Sequence, residues 1–117
     1  MATVATKKLL AQKRPAGTSA SLLYKPPTNG RTEITSIIVC NTTATAATFN
    51  LYHDNDGSNF NVDTLIYSVI TVSGNSTAFL CFDGNLFLEN STSAVGCLSA
   101  TAGALNFTVY GVEFIDT

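Results

Sequence analysis

Short apolar runs separated by turn-forming clusters set the pattern of this chain. After residue 17, no stretch places apolar residues at the three- and four-residue spacing of a helix over ten or more positions. Runs rich in Val, Ile, Thr, Phe and Tyr recur instead, which is how strands read. The pattern predicts strands near Ala20 to Lys25, Thr32 to Asn41, Thr45 to His53, Thr64 to Val72, Thr77 to Phe82, Leu86 to Glu89, Ala94 to Ala100 and Leu105 to Ile115. Turn residues separate them, among them Pro26-Pro27-Thr28-Asn29-Gly30, Asp54 to Asn59 and Asp83-Gly84-Asn85. The expected fold is therefore all-β, a single-domain β-sandwich or jelly roll of about eight strands.

Alternation along individual strands gives the faces. Phe49 and Leu51 alternate with Thr48, Asn50 and Tyr52, so one side of that strand is expected to be buried and the other wet. In the last strand, simple alternation would carry Glu113 inward beside Phe107 and Val109. A bulge at Gly111 is expected to turn Val112 inward and Glu113 outward. The opposite face of that strand, with Thr108, Tyr110 and Phe114, is itself apolar enough to be covered by something outside the domain.

Composition supports a folded chain with a weakly charged surface. Apolar residues make up 45% and charged residues 12%, while Thr, Ser and Asn account for 37 of the 117 residues. Abundant large apolar residues and a net charge of −2 argue against disorder. The apolar runs fall well short of the ~18 residues of a membrane helix, and the opening residues lack the apolar stretch of a secretory signal. No membrane association and synthesis in a host cytoplasm are expected. Cys40, Cys81 and Cys97 have no metal-binding spacing and are expected to be buried free thiols. The sequons at Asn41, Asn75, Asn90 and Asn106 are what a chain rich in Asn, Ser and Thr produces by chance.

Candidate chemistry is sparse. The stretch HDNDGSN, His53 to Asn59, holds the only histidine beside two acids. Its register does not match a calcium loop, because Tyr52 stands where a ligand would be needed, and Asp-Gly between alternating strands reads as a hairpin. No nucleophile-elbow serine, phosphate loop, dinucleotide fingerprint or zinc spacing is present. The expectation is a protein that is not an enzyme, with no catalytic residues, cofactor or metal. Tyr52 and Tyr67 are the remaining candidates for an exposed aromatic platform.

Charge distribution is the strongest functional signal. All six basic residues lie before residue 32, four of them in TKKLLAQKRPAG, while all eight acids lie between Glu33 and Asp116. Residues 1–17 are read as an extended N-terminal docking arm and residues 18–117 as the sandwich. In the arm, Leu9 and Leu10 would supply contact area while Lys7, Lys8, Lys13 and Arg14 steer toward an acidic partner. A nucleic-acid partner is not expected, since residues 32–117 carry a charge of −8.

The segments KKLLAQKRPA, SASLLYKPPTNG, ITSIIVCNTTATAATFNLYHDNDG, LIYSVITVSGNSTAFL and NFTVYGVEFI, in that order, resemble a group of small structural proteins of tailed bacteriophages. Those proteins typically show a "KLLGQ" start, a "SIVVCN…AATF" hairpin and a "FGVEI" end. Pro26-Pro27 departs from the single proline usual there, as does LFLEN at residues 86–90. The resemblance implies a virion structural protein, with the outer head surface as its expected place. A cement or decoration role bound to the major capsid protein or another virion protein is expected, as a homo-oligomer and specifically a trimer. A tail, neck or fibre adaptor is the alternative.

Overall fold

The computed structural model describes residues 2–57 and 59–117. Eight strands form two four-stranded sheets: β1 (Thr3–Lys13), β2 (Ser21–Tyr24), β3 (Gly30–Asn41), β4 (Ala47–Asp54), β5 (Leu65–Val72), β6 (Thr77–Leu88), β7 (Ala94–Ser99) and β8 (Leu105–Asp116). Sheet A has the order β1-β8-β3-β6 and sheet B the order β2-β7-β4-β5, with every pairing antiparallel. The chain crosses between sheets at most connections, which is jelly-roll topology. Among the described residues no helix is long and apolar enough to cross a membrane.

The core lies between the sheets and draws on both. Phe49 of β4 meets Phe107 of β8 edge to face, with ring centroids 5.8 Å apart. Ile34, Ile37 and Val39 of β3, Leu88 of β6 and Val95 of β7 are fully enclosed around them. Each such side chain contributes roughly 1.5–3 kcal/mol by leaving water. In β4, Phe49 and Leu51 are buried and Thr48 and Asn50 half-buried, as the alternation implies, but Tyr52, expected on the wet side, is buried as well.

The eight strands differ in two places from those expected. Residues 3–13, read as an arm apart from the sandwich, are extended and anneal along β8 as the edge strand of sheet A. The boundary expected at Gly17 is where the chain leaves sheet A for sheet B, with Gly17 itself in open space. The segments 77–82 and 86–89, expected as two strands, are halves of β6, and both pair with β3. Asp83 (φ 52°) and Gly84 (φ 85°) form the turn between them as an excursion within the strand.

The bulge expected in β8 lies in its neighbours. Register shifts occur at Leu10 of β1, opposite the Val109-Tyr110 step, and at Thr35 of β3, opposite the Tyr110-Gly111 step. A side chain on Gly111 would strike the Glu33 carbonyl and the Leu10 methyl, so both neighbours approach at a residue with no Cβ. β8 therefore keeps its alternation, and Glu113 stays on the inward side. Its carboxylate accepts from the Tyr24 hydroxyl at 2.7 Å and from Lys8 Nζ at 3.3 Å, which is how an inward acid is tolerated.

Candidate docking surface

Paired registers fix which residues share the outer face of sheet A. One row across the sheet runs Leu9, Tyr110, Ser36, Cys81. The row on one side runs Gln12, Thr108, Ile38, Phe79, and the row on the other runs Lys7, Val112, Glu33, Phe87. Phe79 is 70% exposed, Leu9 45%, and Tyr110 and Phe87 40% each. Within these three rows Lys7 and Glu33 are the only charged side chains. Exposed large apolar side chains gathered on one face, with few charges among them, are what a protein contact surface presents. The apolar outward side expected of β8 is thus one strand of a larger surface.

The basic segment contributes to this face only in part. Lys7 and Leu9 project onto it. Leu10, placed by the β1 bulge, packs against the core. Lys8 turns to Glu113, and Lys13 Nζ donates to the Leu22 carbonyl of β2 at 2.7 Å, tying the two sheets together. Arg14 donates from Nε to the Gly103 carbonyl at 2.8 Å and from a terminal nitrogen to Thr42 Oγ1 at 3.2 Å. Gly103 N in turn donates to the carbonyl of the buried Pro15. Of the six candidate residues, the structure brings two onto one outward surface and uses four within the molecule. Sequence reading did not place Phe79, Phe87, Ile38 and Cys81 there.

The outer face of sheet B is partly covered by the chain itself. Phe60, from the loop between β4 and β5, packs on Tyr52 with ring centroids 6.1 Å apart. It lies so close over Gly96 that a Cβ there would sit 2.6 Å from the ring. Tyr52 is therefore buried, and Tyr67 turns inward against Phe82, with ring centroids 6.1 Å apart. Neither forms the exposed platform considered from sequence.

The remaining candidates are structural in their surroundings. His53 Nε2 lies 3.0 Å from Oγ of the fully buried Ser93. Burial lowers its pKa from the ordinary value, against smaller opposing effects of Asp54 and Glu89. Asp54 is itself buried, and its carboxylate accepts from the backbone N–H groups of Asp56 and Asn59. Gly57, at φ 74°, closes the turn that begins at Asp54. Among the described residues no group of three or more His, Cys, Asp or Glu side chains could hold a metal ion. Cys97 is buried, with its thiol pKa raised by burial, and Cys40 is half-buried. Cys81 is exposed on the outer face of sheet A, contrary to the expectation of a buried thiol. Asn41, one of the sequon residues, is enclosed and donates to the Thr45 and Val72 carbonyls.

Fold and surface together define a jelly-roll domain with one apolar, weakly charged outer face. No family model and no curated protein matches the chain in sequence. Solved structures do match in fold. A Bacillus endospore appendage protein, from a family of disulfide-linked pili, is 14% identical with a TM-score of 0.53, over 98% of this chain and 89% of that one. A chain of the virus-like particle of the extra small virus of the prawn Macrobrachium rosenbergii is 9% identical with a TM-score of 0.58, over 100% and 82%. A chain of the cyanophage Pam1 capsid asymmetric unit is 17% identical with a TM-score of 0.50, over 97% and 85%. At these identities the likeness is one of fold.

Proposed function

We propose that this protein is a structural component of a phage virion, a cement or decoration protein on the outer head surface that acts by binding rather than catalysis. The observation that carries the reading is the outer face of sheet A, where Phe79, Leu9, Tyr110 and Phe87 are exposed together. Burying such a face against the major capsid protein removes apolar area from water while desolvating few charges. Lys7 and Leu9 are the arm residues that belong to this contact. Lys8, Leu10, Lys13 and Arg14, expected to act with them, support it by holding β1 in place. The resemblance to phage structural proteins and the fold shared with a cyanophage capsid chain support the same reading. Copies grouped as homotrimers over a shell would resist internal pressure through many repeated contacts. No nucleic acid or membrane partner is part of this role.

A tail or neck adaptor is the second reading, favoured by the two long open edges of sheet A, which suit a ring. Quantitative mass spectrometry of purified particles separates the two. A copy number on the order of hundreds, as a repeating shell requires, is the expected result. About a dozen copies would move the protein to the tail or neck, and none would overturn the virion role.

A further inference from the structure

Sheet A ends in two long edges. β1 has 11 residues with one bulge at Leu10 and β6 has 12 with the Asp83-Gly84 excursion, whereas sheet B ends in β2 of four residues and in β5 of eight, which carries a bulge beside Val69. Exposed edges of natural sheets are usually short, bent or covered, because their unpaired N–H and C=O groups template pairing with another chain. The four strands of sheet A alternate in direction, so β6 runs opposite to β1. A second copy displaced sideways would present its β1 to β6 in antiparallel alignment.

Charge matches direction. β1 carries no acid and presents Lys7 outward, Lys8 and Lys13 being held by Glu113 and the Leu22 carbonyl, while β6 carries Asp83 with no base and is followed by Glu89. We propose that β1 of one copy pairs with β6 of the next, continuing sheet A from molecule to molecule. The observed rows give the register. Extending the row Leu9, Tyr110, Ser36, Cys81 sets Leu9 of the next copy beside Cys81. The same alignment brings Gln12 beside Phe79, Lys7 beside Phe87 and Lys8 beside Leu86. The outer apolar rows then run unbroken through the joint. Such a contact is head to tail, so repetition gives a closed ring or an open filament and not a two-fold dimer.

The test uses the purified full chain. Leu9→Cys, treated with copper phenanthroline, should form a disulfide with the native Cys81 of the next copy, the two thiols giving up two protons and two electrons to the copper oxidant. Directly opposite residues in an antiparallel pair have Cβ atoms about 4.5–5.5 Å apart, a small adjustment from disulfide geometry. The expected product is a ladder of dimers, trimers and larger species on non-reducing gels, lost when Cys81→Ser is added. Light scattering on the unmodified protein should show mass rising with concentration, and Lys7→Glu should weaken that assembly at least several-fold. Leu9 is 45% exposed, so the cysteine variant should fold, and the unmodified protein supplies a readout that needs no variant. A monomer at all concentrations, a dimer alone, or assembly without the Leu9–Cys81 cross-link would each overturn the pairing. The virion reading is decided separately by copy number, so either can fail without the other.

Discussion

At the scale of the residue, Val69 is the position where local preference and structure disagree most. Its φ is 50°, a left-handed conformation that a β-branched side chain rarely adopts. The cause is a mismatch in pairing: Phe49 faces Ile70 and Leu51 faces Tyr67, so Ser68 and Val69 together oppose Asn50. Asn50 Oδ1 accepts the Val69 N–H at 2.7 Å and holds the bulge. Val69 is 65% exposed and loses little packing if truncated. Val69→Gly removes a strain of about 1–2 kcal/mol and adds back roughly half of it through the freer unfolded chain. A net gain of about 0.5–1 kcal/mol is expected in a urea melt, and a loss would show that the valine side chain carries packing the bulge needs. The bulge was not legible in the sequence because the side chain that stabilises it lies on another strand. Cys81 shows a related limit. Both faces of β6 are apolar, with Ala78, Leu80 and Phe82 on one and Phe79 and Cys81 on the other, so alternation alone could not say which face was inside. Tyr52 looked exposed for want of Phe60, which arrives from a loop.

At the scale of the element, turn chemistry is legible in the sequence where strand continuity is not. Asp83 and Gly84 do take the positive φ values that an Asp-Gly turn calls for. The two halves they separate nonetheless belong to one strand, because β3 is long enough to pair with both and gives up only Thr35 to the mismatch. β1 was illegible for the opposite reason. Its outward charges resemble a solvated tail, and what makes it a strand is the free edge of β8, which is distant in sequence. Adjacent leucines distinguish a strand from a loose arm. Leu10 packs on the core while Leu9 faces out, whereas in an unattached arm the two would be equivalent. In dilute protein, Leu10→Ala is expected to cost about 1–2 kcal/mol and Leu9→Ala less than about 0.5 kcal/mol. Equal, negligible effects in chemical denaturation would mean that β1 does not contribute to the stability of the sandwich.

For the whole molecule, the ionisable groups that differ between folded and unfolded chains set a pH window of stability. His53 has its pKa lowered from 6.5, first by burial, with Asp54 and Glu89 opposing this more weakly. The unfolded chain therefore binds that proton more readily, so stability is fully present above pH 6.5 and is lost as pH falls through the lower folded value. Asp116 accepts from Thr3 and Arg31, which lower its pKa from 3.8, so a further loss follows at more acidic pH. At the alkaline end, burial is the chief reason that the Tyr24 phenol is raised above 10.0, an effect reinforced by Glu113 and opposed by the Thr32 hydrogen bond. Its contribution is present below pH 10.0 and is lost as pH rises beyond that. Three elements meet in these pairs: β1 and β3 hold the end of β8 through Thr3 and Arg31, and β2 reaches it through Tyr24. Thermal melts across pH should show a plateau between about 6.5 and 9, with a first fall on the acid side and an alkaline fall that begins with the Cys97 thiol, which burial also raises from 9.0, and continues with Tyr24. His53→Gln should remove that first fall and leave the plateau extending down to the range of carboxylate titration. An unchanged acid limb in His53→Gln would assign the first loss to the carboxylates that close the sandwich at the end of β8, and would leave His53 with no part in acid stability.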